Sequence, residues 1–297
     1  MNMCVNQQGK RWHLNGQLLL VIIVLFPSLS LAQIDSTSAG MIEFIPNGWT
    51  FEPLLAPTIE SRVGLVTHFN DNSLRLDIGN SIDLVSLNIL DTKEHRMTMG
   101  ADFFTWTALR GVENFHFPVD AVDYLFGINF AYRKSNERQT FSSRLRISHI
   151  SAHLVDGSYE KKTSLWRNDR LPRVYSREFF DLVSAMDFHW VRLYAGVQYL
   201  FHVDPPEIPK WSLQLGTEFV QERAFELPIH FYCAYDFRLQ SLTRYAAIHS
   251  LQAGVKFGIW RGRGVNIFVV AYNGHSYHGE YYDLRNSYWG PGFTVDF

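Results

Sequence analysis

The chain has 297 residues, enough for one large domain or two small ones, with 46% hydrophobic residues, 19% charged residues and a formal charge of −2. That balance excludes a disordered chain and a bundle of membrane helices, and the lack of a basic excess excludes a nucleic-acid partner. The 23 Phe, 14 Tyr and 8 Trp bring aromatic residues to 15%, which suits a soluble core or the aromatic girdles of a membrane barrel.

At the N-terminus, Lys10 and Arg11 precede an apolar run, residues 18–26, that Pro27 stops. Ser30-Leu31-Ala32 then places small residues where a signal peptidase reads them, so residues 1–32 are expected to be a cleaved signal peptide. No Cys follows directly after the run, which argues against a lipoprotein. Cys4 would leave with the signal, and Cys233 would stay without a partner for an internal disulfide, most simply as a small apolar residue on a strand.

Residues 33–59 read as a periplasmic or lumen-plugging segment, with Phe51-Glu52-Pro53-Leu54-Leu55-Ala56-Pro57 inside it. From residue 60 to 297 the period is two. Ile229, Phe231, Cys233, Tyr235, Phe237 and Leu239 alternate with His230, Tyr232, Asp236, Arg238 and Gln240, and Leu251 to Ile259 repeat the pattern. About twelve such runs begin near Ser61, Leu74, Met97, Asp123, Thr140, Val174, Val191, Trp211, Ile229, Ile248, Val265 and Trp289. Most have the ~9–11 residues, or slightly more, that a tilted strand needs to cross a bilayer, and no mature segment approaches the ~18 apolar residues of a membrane helix.

An antiparallel sandwich would alternate too. Three features favour a transmembrane antiparallel β-barrel in an all-β chain. The polar face carries charges of both signs: Asp77, Asp102, Arg144, Arg146, Arg192, Glu218, Asp236, Arg238 and Lys256. Short connections (134–139, 188–190, 221–226, 261–264) alternate with longer ones (109–120, 154–173, 275–287), the barrel habit of short periplasmic turns and long outer loops; 70–72 is a short member of the long set. The last strand ends Phe293, Val295, Phe297 on one face, like the signal that the outer-membrane insertion machinery reads. The expected location is therefore the bacterial outer membrane, with that machinery, outer-membrane lipid and lipopolysaccharide as partners.

Several pieces together resemble the bacterial "domain of unknown function 1207" family of exported proteins. They are Phe51-Glu-Pro-Leu-Leu-Ala56, Asp123-Tyr-Leu-Phe-Gly127 and His149-Ile-Ser-Ala-His-Leu-Val-Asp156, then Ser176-Arg-Glu178, Arg192-Leu-Tyr-Ala-Gly196, Gly274-His-Ser-Tyr-His-Gly279 and Gly290-Pro-Gly292. Val155-Asp156-Gly157 departs from the Gly-Asp-Glu type of sequence expected there. The resemblance implies an exported protein and no activity. A narrower one, over His149-Ile-Ser151 and Ser176-Arg-Glu178, is to outer-membrane phospholipase A and the lipid A 3-O-deacylases, which carry His-x-Ser on a barrel strand and a third polar residue on its neighbour.

His149, Ser151 and His153 share the parity of Phe141, Leu145 and Ile147, the lipid side, where a polar cluster is costly. A symmetric hairpin sets Glu178 opposite His149 and Ser176 opposite Ser151, since both pairs sum to 327. In that register Ser151 is a candidate nucleophile, His149 its base and Glu178 the orienter, with calcium a possible cofactor only for such a hydrolase. The competing readings are interface packing, ligand binding, or a β-bulge between Ser148 and His149 that turns the cluster into the lumen. Arg167, Arg170, Arg173 and Arg177, in or beside the next loop, are candidates for lipopolysaccharide phosphates or a solvated loop. His275 and His278, near Glu280 and Asp283, read better as a solvated outer loop than as metal ligands. No Walker, CxxC or HExxH motif is present, and three roles stay open: a structural or envelope-maintenance barrel, a lipid hydrolase, and a small-solute pore.

Overall fold

A computed structural model describes residues 42–88, 94–241 and 244–297, so the expected signal peptide lies outside the described residues. The strands are β1 (Ile42–Phe44), β2 (Val63–His68), β3 (Ser73–Asn88), β4 (His95–Arg110), β5 (Val119–Ser135) and β6 (Gln139–Leu154). The two-residue strands β7 (Tyr159–Glu160) and β8 (Leu165–Trp166) follow, then β9 (Tyr175–Phe188), β10 (Val191–Asp204) and β11 (Trp211–Gln221). The last four are β12 (Ile229–Ser241), β13 (Tyr245–Gly258), β14 (Gly264–His275) and β15 (Arg285–Asp296).

Twelve of these form a closed antiparallel barrel, because β15 pairs with β2 through Gly292↔Val66 to Val295↔Val63. Closure joins the two ends of the sheet, as hydrocarbon demands of a spanning sheet, although on β3 the stretch between the β2 and β1 pairings, residues 78–84, has no strand partner on that side among the described residues. The remaining strands add little to the wall: β1 pairs with the same edge of β3 that β2 uses, further along, and β7–β8 is a small hairpin in the loop between β6 and β9. Strands β3, β4 and β6 have 16 residues each and β5 has 17, longer than the sequence alone indicates. At ~3.3 Å per residue they extend past the ~25 Å apolar band into the interface regions.

The two faces of the wall separate as the alternation requires. Ile78, Ile82, Phe103, Phe126, Leu193, Leu213, Leu215, Ile267, Val269 and Phe293 are exposed on the outside. Asp77, Asp102, Arg144, Arg146, Arg192, Glu218, Asp236 and Lys256 are buried in the lumen. No bulge falls at Ser148 or His149, since pairing there is continuous with both neighbours. Bulges occur instead at Asp83/Val85, Ala108/Leu109 and Leu200/His202.

Charges alone do not fill a twelve-strand lumen, and residues 49–62 complete it. Between β1 and β2 the chain leaves the wall and crosses the interior. Phe51 and Leu54 pack on Ala131, Val183, Ala185 and Tyr194, with the Phe51 ring between the guanidiniums of Arg144 (4.6 Å) and Arg192 (4.9 Å). Backbone groups of the segment meet the wall as well: the Leu55 N–H donates to Glu218 (2.8 Å), Ser250 donates to the Ala56 carbonyl (2.7 Å), and Arg75 donates to the Thr58 carbonyl. Glu60 is the anchor. Arg144 binds its carboxylate with both terminal nitrogens (3.0 and 2.9 Å), Arg146 adds a contact at 2.5 Å, and Arg146 also reaches Asp102 (3.2 Å). Burial alone would raise the Glu60 carboxyl, but the two guanidiniums outweigh it and hold the group well below the usual carboxylate range.

The two ends of the barrel differ. Both ends of the described wall, Val63 and Asp296, lie at the end closed by the turns 136–138, 189–190 and 259–263, where Lys256 ties Asp296 (2.5 Å) to the Trp260 and Gly262 carbonyls. The opposite end carries loops 111–118, 155–174 and 276–284.

Candidate functional site

His149, Ser151 and Glu178 sit on the outer wall near the loop end. The pairing between β6 and β9 sets His149↔Glu178 and Ser151↔Ser176, the symmetric register, although twenty residues intervene. Side chains of directly opposed residues share a face. His149 is five residues from the end of β6, and Glu178 is the fourth residue of β9, which places them roughly 8–13 Å below the strand ends on tilted strands.

The His149 Nδ1 lies 2.6 Å from Glu178 Oε1, and the Ser176 hydroxyl donates to the same oxygen (3.2 Å). An imidazole that gives its Nδ1 proton to a carboxylate keeps a bare lone pair on Nε2, the tautomer a general base needs. The Phe126 ring, 4.8 Å from the imidazole centroid, and Tyr124 beside His153 form the apolar flank on β5. Ser151 is two residues along the same face, ~6.6 Å away at Cα. Among the described residues no hydrogen bond joins Ser151 to His149, so catalytic alignment would require a serine rotamer change or substrate.

A fourth residue, His202, belongs to this cluster and escapes sequence reading. Its Nδ1 lies 2.5 Å from Glu178 Oε2, so the carboxylate on β9 bridges the imidazoles of its two neighbours, β6 and β10. Period two along β10 turns Phe201 outward and His202 inward. The bulge between Leu200 and His202 turns both outward and sets His202 opposite Glu178.

The loop arginines fall elsewhere. Arg170 pairs with Asp283 (2.9 Å) and donates to the Glu280 carbonyl (2.9 Å), and Arg173 reaches Asp283 at 3.6 Å. Arg177 faces the lumen and is buried, so it is removed from any lipopolysaccharide contact by the same parity that turns Glu178 outward. The 276–284 loop is not solvated as the sequence suggests: His275, His278 and Glu280 are buried because the loop folds into the barrel mouth. Asp123 holds it there, accepting from the Gly279 N–H (2.7 Å) and lying 2.7 Å from His278 Nδ1. A Cβ on Gly279 would stand 2.2 Å from the Tyr175 ring, so only glycine allows that approach. Among the described residues no three His, Cys, Asp or Glu side chains converge as metal ligands. Phe293, Val295 and Phe297 lie along the outer face at the C-terminal end, with Phe293 and Phe297 exposed.

A closed twelve-strand wall, apolar outside and charged within, is the fold of the outer-membrane β-barrels. The chain belongs to the family described as "Protein of unknown function (DUF1207)", whose profile matches residues 35–297. No curated protein sequence matches it significantly. Among solved structures it is similar to outer membrane phospholipase A from Escherichia coli, at 12% identity and a TM-score of 0.51, covering 85% of this chain and 97% of that one. The β-domain of the Bordetella autotransporter BrkA aligns at 11% identity and a TM-score of 0.40, over 79% and 98% of the two chains. The outer membrane protein OprD from Pseudomonas aeruginosa aligns at 8% and 0.32, over 76% and 75%. At these identities the first of the three speaks for the barrel fold alone.

Proposed function

We propose that the protein is a lipid hydrolase of the bacterial outer membrane, acting on an ester bond in the leaflet at its loop end. The observation that carries the reading is the 2.6 Å His149–Glu178 contact on the lipid-facing wall, with Ser151 on the same face. A carboxylate and two imidazoles gathered on a wall rich in Phe, Leu and Ile are costly where lipid replaces water, and a reaction at the headgroup boundary accounts for them. In outer-membrane barrels the long-loop end faces outward, which supports a site in the outer leaflet.

The chemistry follows from the tautomer. The Ser151 Oγ attacks the ester carbonyl while His149 Nε2 takes its proton, forming the Oγ–C bond. Collapse breaks the ester C–O bond, and the imidazolium returns the proton to the departing alkoxide. Water, activated by the same imidazole, then releases the fatty acid. Glu178 holds the imidazole and stabilises its charged form, steadied by Ser176 and His202. The partners in this reading are outer-membrane phospholipid or lipopolysaccharide, with the insertion machinery acting during assembly. The similarity in fold to a phospholipase of the same membrane is compatible with it.

A solute pore has less support. Residues 49–60 occupy the lumen, and cavities beside them measure about 80, 20 and 10 Å³. The test is turnover of phospholipid and of lipid A in mixed micelles by purified protein, with calcium and with chelator. Release of fatty acid by the wild type, and its loss in Ser151→Ala and His149→Ala at equal folded amounts, is expected. No release from either lipid under either condition would remove the enzyme reading.

A further inference from the structure

Arg177, the residue between Ser176 and Glu178, points into the barrel. It is buried, its guanidinium lies 5.2 Å over the Tyr175 ring, and its Nε has no hydrogen-bond partner. No ion pair joins it to a described carboxylate. A buried guanidinium without a counter-charge is among the most costly arrangements in a protein interior.

The space beside it is a cavity of about 20 Å³ toward the loop end, lined by Arg177, Arg238, Asp236, Ser250, Tyr272 and His275. Its one carboxylate is already engaged: Asp236 Oδ1 accepts from Tyr194 (2.9 Å) and Gln214 (2.6 Å). Arg238 donates to the Gln214 side-chain carbonyl (2.9 Å) and forms no ion pair with a described carboxylate. Two guanidiniums and one carboxylate line the cavity, a local excess of one positive charge. Roughly 10–15 Å³ of such space holds one water-sized species, which excludes phosphate or a sugar and admits a single small ion.

We infer that this cavity is a binding site for one halide-sized monovalent anion, with chloride the natural occupant. The ion accepts hydrogen bonds from the free nitrogens of Arg177 and balances the excess charge, fixing Arg177 against β12 and the base of the 276–284 loop. The site lies on the opposite face of β9 from the His–Glu cluster and is independent of the hydrolase reading.

Chloride-35 NMR of the detergent-solubilised full chain tests it. Wild-type protein is expected to broaden the chloride line beyond empty micelles, and added bromide should reverse the excess by competition. Arg177→Gln should weaken binding roughly tenfold or more, the worth of a charge-assisted hydrogen bond. No excess broadening in the wild type, or the same excess in Arg177→Gln, overturns the proposal. Should Arg177→Gln fail to fold, judged by its gel mobility with and without boiling, bromide-soaked wild-type crystals decide. An anomalous peak between Arg177 and Arg238 supports the site, and water alone in the cavity overturns it.

Discussion

Glu60→Gln removes one negative charge from the lumen while keeping the side chain's shape. It takes the counter-charge from two guanidiniums, Arg144 and Arg146, whose side chains are each 3% exposed. Arg146 retains Asp102 at 3.2 Å, whereas Arg144 has no other ion pair among the described residues. Breaking a buried pair from one side costs about 3–5 kcal/mol, and the upper half is expected here because three hydrogen bonds change at once. The assay is reversible urea unfolding of the barrel in lipid vesicles, followed by tryptophan fluorescence and by gel mobility. Arg144→Met alone should cost a similar amount, since it leaves Glu60 with one partner. The double variant should cost clearly less than the sum, because the pair goes as a unit. A Glu60→Gln cost below about 1 kcal/mol would mean that residues 49–60 do not dock in the lumen, and the filled interior would have to be abandoned.

Acid should act through the same residue. The Glu60 carboxyl is depressed in the folded protein, so its contribution is present above the ordinary glutamate value of 4.5 and is lost as pH falls through the lower folded-state value. The urea midpoint of the wild type should therefore drop below about pH 4.5, with a smaller drop in Glu60→Gln; identical pH profiles would contradict the pairing. Arginine on the outer wall should cost by depth: about 2–4 kcal/mol at Leu215, in the middle of β11, and about 0–1 at Phe257, one residue from the end of β13. Equal effects at the two sites would contradict the membrane placement of the wall. Deleting Phe297 should lower the folded amount in outer membranes while the heat-unfolded chain accumulates in the periplasm. Unchanged folded levels would deny the terminal strand a signalling role.

Period two was enough to locate the strands, because each face meets a different solvent and a one-residue slip would expose every charge to lipid. The same parity pointed His149, Ser151 and Glu178 outward but left a bulge at Ser148/His149 as an alternative, which the continuous pairing of β6 removes. The loop between β6 and β9 is compatible with a symmetric register because it folds back on itself as the β7–β8 hairpin. His202 was invisible for the opposite reason: a bulge is a local break in the period, and nothing in Leu200-Phe201-His202 announces it. Arg177 was legible from parity, since its neighbour Glu178 faces out, yet grouping it with the loop arginines hid its lumen position. The inward fold of 276–284 depends on Asp123, more than 150 residues away, a contact with no local trace.

Covalent capture asks whether Ser151 is a nucleophile activated by His149. Folded protein in micelles is treated with a lipid-tailed sulfonyl fluoride, which modifies serine only where a base removes the hydroxyl proton. The modified peptide is then located by mass spectrometry. One adduct is expected on Ser151, absent in His149→Ala, slowed in Glu178→Gln and absent in heat-unfolded protein. Labelling of Ser176 in place of Ser151, or no labelling while the barrel stays folded, would contradict it.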